Sequence, residues 1–243
     1  MSTVLKTVEN KVMTIQLNRP EKKNALTSEM YGAFSDALEH AAASDEVHAV
    51  VVTGSGDSFC AGNDLRDFLS GPADITGPSP QARLISNFVT FPKPFIAAIN
   101  GVTVGIGVTM LLHCDLVYAA PNARLTTAFT NIGVVPEAGS TRLLAQRVGA
   151  LHASALMLLA DLISAQEAQR IGLVNEVVDD VLEYAQSKAA QLAAKSLDSI
   201  VTTKALLRND HGTLVDQIHR ENVEFSRLLK SDAFQAAASK LVR

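Results

Sequence analysis

The chain has 243 residues, of which 47% are hydrophobic and 19% charged, and its formal net charge is −4. This composition supports a packed core and excludes disorder as the dominant state, since enough apolar surface is available to offset the entropy of ordering. The negative balance excludes bulk attraction to nucleic acid, and the longest apolar stretch, 102–112, is too short to cross a bilayer, so neither is an expected partner.

In chain order, Val4–Val8 and Val12–Leu17 alternate apolar and polar residues about Glu9-Asn10-Lys11 and predict a hairpin. Ser28 is placed to cap a helix whose apolar positions, Met30, Phe34, Ala37 and Leu38, recur at helical spacing as far as Ser44. The unbroken apolar run Ala49–Thr53, closed by Gly54, predicts a buried strand. A turn-rich loop, 54–65, follows. Residues 70–80 are dense in Gly, Pro and Ser and suit a lid over a site.

A helix over 81–91, a strand over 95–99, an Asn100-Gly101 turn, a helix over 105–112 and a strand over 115–119 come next. Buried strands thus alternate with helices, which predicts a mostly parallel α/β core. Further helices are predicted over 140–147, 150–159, 164–170, 179–195, 197–208, 212–229 and 232–241, interrupted by one strand over 173–178. Leu214, Ile218, Phe225 and Leu229 share a face of the penultimate helix, and that face must pack on the core or on a partner subunit. The N-terminal segment has no signal-peptide core, Leu241-Val242-Arg243 is not the usual peroxisomal address, and Cys60 and Cys114 do not make a disulfide framework; a cytoplasmic protein is expected.

Three segments carry chemistry. A strand ends at Gly54, and FCAGNDL, 59–65, opens a helix near Asp64, where backbone N–H groups are unpaired and carry the positive end of the helix dipole. Ala61 and Gly62 let a ligand oxygen approach closely; the same residues also suit an ordinary turn with Asp64 as its cap. In NGVTVGIGVTML, 100–111, Gly105 and Gly107 flank a second helix start, whose N–H at Ile106 is a second candidate donor. Two such donors on one oxygen make an oxyanion hole. In NIGVVPEAGSTRLL, 131–144, Glu137 follows Val134, Val135 and Pro136, so desolvation should raise its pKa toward the range of a general base. A solvated first-turn Glu is the alternative.

In this order the segments resemble the crotonase, or enoyl-CoA hydratase/isomerase, superfamily. The likeness runs from NRPEKKNAL (18–26) to QRIGLVNEVV (169–178) and is looser in the C-terminal helices. It implies an α/β fold, a spiral of ββα units over 1–190, with a C-terminal helical region, 191–243, that assembles a homotrimer or a dimer of trimers. It implies an acyl-CoA substrate of the kind met in fatty acid β-oxidation, no separate cofactor, and an oxyanion hole at Ala61 and Ile106. Acyl-CoA contacts map to Asn24, Ala25, Leu26, Ala61, Gly62, Asn63, Asp64, Leu65, Ile106 and Gly107.

The two glutamates of the family's hydratases would fall on Thr109 and Phe129, and both carboxylates are missing. Glu137 instead matches the base of the peroxisomal-type Δ3,Δ2-enoyl-CoA isomerases, which share loops like GNDL (62–65), FPKP (91–94), VGIGVTML (104–111) and PEAGS (136–140). The resemblance therefore implies that Glu137 moves a proton from C2 to C4 of a 3-enoyl-CoA. Hydration or another enolate reaction is the alternative, and a silent acyl-CoA-binding protein a third reading. His113-Cys114-Asp115 is not expected to form a triad, because adjacent side chains diverge. The histidines lack metal-ligand spacing, so no metal is expected. Lys22, Lys23 and Lys93 are candidate contacts for CoA phosphates, with solvated lysines the alternative.

Overall fold

The structure, a computed structural model, describes residues 2–70, 76–208 and 211–241. In chain order it comprises β1 (Val4–Glu9), β2 (Val12–Leu17), α1 (Ser28–Ala43), β3 (Ala49–Gly54), β4 (Ser58–Cys60), α2 (Leu65–Ser70), α3 (Pro80–Thr90), β5 (Phe95–Ile99), β6 (Val102–Val104) and α4 (Ile106–Thr109). There follow β7 (Leu116–Ala119), β8 (Arg124–Thr126), α5 (Ser140–Val148), α6 (Ala150–Ser154), β9 (Ile163–Ser164), α7 (Ala165–Arg170), β10 (Glu176–Val177), α8 (Val181–Ala193), α9 (Leu197–Leu207), α10 (His211–Leu229) and α11 (Asp232–Leu241).

Two sheets result, a six-stranded one ordered β1-β2-β3-β5-β7-β10 and a four-stranded one ordered β4-β6-β8-β9. β1 and β2 are the expected antiparallel hairpin, and from β2 onward the large sheet is parallel. β4, β6 and β8 are also parallel, with β9 antiparallel at the edge. Chain order explains both sheets together. β3 leads to β4, β5 to β6 and β7 to β8, each pair followed by helix, so each turn of chain adds one strand to each sheet. This is an α/β spiral of ββα units.

The large sheet is covered on both faces, which is why β3 reads AVVVTG and is buried throughout. Side chains alternate between faces. Val50 and Val52 join the main core with Met30, Phe34 and Leu38 of α1, while Ala49 and Val51 meet Val181, Ala185, Ala189 and Ala193 of α8. The boundary expected at 190/191 falls within α8. The cap of α1 is Thr27, not Ser28. Thr27 Oγ1 accepts from Met30 N–H at 3.3 Å, and Ser28, already helical, donates its N–H and hydroxyl to Asp67 Oδ2, each at 2.8 Å.

The strands of the smaller sheet are two or three residues long and fall in segments that read as turns or helix starts. The helix expected over 105–112 is α4 plus a 3-10 turn, Met110–His113, and that over 150–159 is α6 plus a π-helical turn, Ala155–Leu159. The strand expected over 173–178 narrows to β10. Of the expected lid, 71–75 lie outside the described residues, and Ser79 caps α3 by accepting from Ala82 N–H at 3.0 Å. Among the described residues no helix is long and apolar enough to cross a membrane.

Candidate active site

Two strand-to-helix passages, β4 to α2 and β6 to α4, lie side by side. Gly62 (φ +95°) and Gly105 (φ +57°) occupy backbone conformations that favour glycine, and a Cβ on Gly105 would stand 3.8 Å from Gly62 Cα. A Cβ on Gly107 would stand 2.7 Å from the Cys60 carbonyl oxygen, so α4 rests directly on the end of β4. Gly107 thus serves close packing and does not line the cavity described below.

The hydrogen bonds of the 61–64 loop decide which N–H groups a ligand can use. Leu26 and Asn63 form a parallel bridge, in which Leu26 N–H donates to the Gly62 carbonyl and Asp64 N–H to the Leu26 carbonyl, each at 2.8 Å. In such a bridge the N–H of the intervening residue points the other way. Asn63 N–H accordingly has no acceptor among the described residues, and neither does Ile106 N–H at the first position of α4, as expected of first-turn donors. Ala61 N–H, by contrast, donates to the Lys23 carbonyl at 2.9 Å. This corrects the assignment of Ala61 as a hole donor: its N–H is already engaged, and the available one lies two residues further on.

Asn63 and Ile106 line one cavity of about 160 Å3, with Ala61, Gly62 and Gly105 at the same end and Phe129, Ile132, Val134, Phe225 and Phe234 along its apolar walls. The last two side chains come from α10 and α11, which close this cavity over the spiral. Tyr31, buried, donates its hydroxyl to Asn63 Oδ1 at 2.5 Å and fixes that side chain. A polar cleft of about 610 Å3 shares Asn63, Leu65 and Leu241 with the apolar cavity and is lined further by Arg19, Lys22, Ala25, Thr27, Asp64 and Arg66. Asp64 pairs with Arg19 at 2.6 Å and caps α2, accepting from Arg66 N–H at 3.0 Å and Asp67 N–H at 3.2 Å.

Glu137 is 5% exposed, between the buried Pro136 and Ala138. Its Oε1 accepts the Thr109 hydroxyl at 2.6 Å. Burial, reinforced by the charge of Glu221 and opposed by the Thr109 bond, pushes its pKa up to about 7. A carboxyl so placed can both take and return a proton near neutrality. Glu137 is not among the residues lining the apolar cavity; Thr109 links it to the helical turn that begins at Ile106. Its charge also reaches the cavity side of the core. Burial and then Glu137 raise the Tyr31 pKa, and burial foremost, with Glu137 adding, pushes the Cys60 thiol up to about 12.

Several expected contacts are structural. The Asn24 side chain is fully buried and engaged: its oxygen accepts Arg19 N–H at 2.9 Å, and its amide donates to the Ser55 and Ser58 carbonyls at 2.9 and 2.7 Å. Leu26 is core. Ala25, Asp64 and Leu65 do face the polar cleft. Lys93 is buried and donates to the Ala41 and Ser44 carbonyls, each at 2.7 Å, closing the end of α1; this corrects its candidacy for phosphates, whereas Lys22 and Lys23 are exposed.

His113, Cys114 and Asp115 diverge. His113 Nε2 meets the Ala138 carbonyl at 2.8 Å, Cys114 is a buried free thiol, and Asp115 pairs with Lys204 and Arg208 at 2.7 and 2.8 Å. Sequence reasoning missed two groups at the Glu137 turn, His113 and the buried Glu221 of α10. Each reaches the turn across a long stretch of chain, and no local pattern marks either.

The α/β spiral thus sets two unengaged backbone N–H groups on an apolar cavity, with a buried carboxyl held next to α4. The sequence profile of the enoyl-CoA hydratase/isomerase family matches residues 7–241, and the chain belongs to that family. It is similar to 1,2-epoxyphenylacetyl-CoA isomerase of Escherichia coli K12, with 35% identity over 94% of this chain and 90% of that protein. It is also similar to 2,3-dehydroadipyl-CoA hydratase of the same strain, with 35% identity over 86% and 82%. Enoyl-CoA delta isomerase 2 of Rattus norvegicus is 31% identical over 99% of this chain and 63% of that longer protein. Among solved structures, an enoyl-CoA hydratase/isomerase from Pseudoalteromonas atlantica superposes with a TM-score of 0.94 at 36% identity, over 99% of this chain and 97% of that one.

Proposed function

We propose that this protein is an enoyl-CoA isomerase that moves the double bond of a 3-enoyl-CoA to the 2-position. The observation that carries the reading is that Glu137, buried and pushed up to about 7, has no carboxyl beside it at positions 109 and 129: Thr109 donates a hydrogen bond to it and Phe129 is an apolar wall, while the carboxyl of Glu221 is engaged by the backbone and hydroxyl of the 139–141 turn. Hydration needs one group to activate water and another to protonate C2. A double-bond shift needs one group that takes a proton and returns it.

In this reading the thioester oxygen accepts the N–H groups of Asn63 and Ile106, which stabilises negative charge on that oxygen and acidifies C2. Glu137 takes the C2 proton, the electron pair spreads into a dienolate, and the protonated Glu137 delivers the proton to C4. The acyl chain occupies the apolar cavity, whose walls exclude water, and the CoA portion follows the polar cleft past Lys22 and Arg19. No separate cofactor enters. The bare leucines Leu151, Leu158, Leu159 and Leu162, each at least 61% exposed, support assembly as a homo-oligomer.

The test is to supply 3-hexenoyl-CoA and crotonyl-CoA separately, following the conjugated product from the first and 3-hydroxyacyl-CoA from the second. The reading expects isomerisation to exceed hydration by orders of magnitude; the reverse ranking would defeat it. One observation favours a second reading within the same chemistry. Phe129, Phe225 and Phe234 ring the cavity, and an aromatic-acyl thioester, as named for the Escherichia coli isomerase relative, would suit such walls.

A further inference from the structure

The turn carrying Glu137 is held from outside the spiral. Ala138 (φ +61°) and Gly139 (φ +72°) are both left-handed, a costly conformation for Ala138, so the turn persists only if its surroundings fix it. Two groups do so. From the α4 side, His113 Nε2 lies 2.8 Å from the Ala138 carbonyl; a carbonyl only accepts, so that nitrogen carries the proton. From α10, Glu221 accepts Gly139 N–H at 2.6 Å, Thr141 N–H at 3.0 Å and the Thr141 hydroxyl.

All three partners of Glu221 are donors, which suits the acceptor-only carboxylate. Gln217, one turn earlier on α10, donates to Thr141 Oγ1 at 2.9 Å, and Leu214 sits where a Gly139 Cβ would be, at 2.4 Å. One face of α10 therefore grips the turn at three successive levels. The groups around Glu137 itself are Thr109 of α4, Tyr31 of α1, Cys60 of β4 and Glu221 of α10; of these, Glu221 is the carboxylate.

We propose that Glu221 is a positioning residue for the reaction: from α10 it fixes the 138–141 turn so that Glu137 presents its carboxyl to the substrate. The proposal rests on the reading of Glu137 as the base. It gives the C-terminal helices a part in catalysis beyond walling the acyl cavity.

The experiment compares Glu221→Gln, Glu221→Asp and Glu137→Gln with the parent protein, measuring kcat, KM and the pH profile on 3-hexenoyl-CoA. For Glu221→Gln the expectation is a fall in kcat of ~10–100-fold with KM little changed, since small misplacement of a reacting group costs this much. Its acid limb should also move to lower pH, because the Glu221 charge that helps raise the Glu137 pKa is gone. Glu221→Asp keeps the charge on a shorter arm, so its limb should stay at the parent's pH while kcat falls less. A parent-like kcat and pH limb in Glu221→Gln, with only a lower Tm, would reduce Glu221 to a cap of α5 and overturn the proposal.

Should Glu221→Gln fail to fold, Glu221→Asp and Thr141→Val carry the test, and parent-like kcat in both overturns it equally. The two failures are distinguishable. An active Glu137→Gln would remove the base reading and this proposal with it, whereas an inactive Glu137→Gln beside a parent-like Glu221→Gln would sink this proposal alone.

Discussion

The loops that carry the free N–H donors and the turn that carries Glu137 are built by different means. The donors Asn63 and Ile106 are held within the spiral, by the Leu26–Asn63 bridge, by Tyr31 on Asn63 Oδ1, and by α4 resting on Cys60. The Glu137 turn leans instead on side chains from distant segments, His113 and Glu221, and on the apolar face of α10. The first arrangement fixes two free N–H donors on the cavity as a by-product of folding the core; in the proposed reading they receive the thioester oxygen. The second leaves the position and basicity of the carboxyl adjustable without rebuilding that receptor. A fold that keeps the hole and varies the acid–base group can host related reactions, in keeping with relatives named as isomerases and as hydratases.

Substitutions can break the two regions separately. The largest effect is expected from Glu137→Gln, which removes the acid–base group and should lower kcat by ~10²–10⁴-fold while acyl-CoA binding, measured by calorimetry, persists. Gly107→Ala should come next. Its Cβ would collide with the Cys60 carbonyl and displace Ile106 N–H, so kcat should fall by ~10–100-fold with the pH limb unmoved.

Thr109→Val is subtler and acts on the base alone. The Thr109 bond lowers the Glu137 pKa, so losing it should carry the acid limb of kcat/KM to higher pH than the parent's. The sign is fixed by the role. In the proposed role Glu137 works deprotonated, so activity rises with pH through its pKa, and a raised pKa costs activity at pH 6 but not at pH 9. The smallest catalytic effect is expected from Asn24→Ala, which leaves buried partners unsatisfied and should cost ~1–3 kcal/mol of stability in denaturant melts with kcat near the parent's.

The same contrast explains what the sequence disclosed. β3 and β5 announce themselves as unbroken apolar runs, and Glu137 as a carboxylate after Val134-Val135-Pro136, because burial leaves a local mark. Ile106 follows from its place beside Gly105 at a helix start. The choice between Ala61 and Asn63 was not legible, since it depends on whether the Lys23 carbonyl, 38 positions earlier in the numbering, takes the N–H of Ala61. Asn24 looked like a contact and is a buried strut for the same reason: its partners, Ser55 and Ser58, lie across the fold. Glu221 sits in a helix whose pattern shows an apolar face and gives no sign that a carboxylate on it turns inward. Two- and three-residue strands leave no periodicity, so the smaller sheet appears only with the pairing of its neighbours.

The central claim is that one buried carboxyl carries one proton from C2 to C4. It is tested most directly with 3-hexenoyl-CoA deuterated at C2, by following where the label goes in the earliest product. Because Glu137 is 5% exposed, the account predicts that a substantial part of the deuterium appears at C4 before it exchanges with water, and that Glu137→Gln abolishes the transfer. Complete washout of the label with no deuterium at C4, or accumulation of 3-hydroxyacyl-CoA in place of the conjugated product, would contradict it.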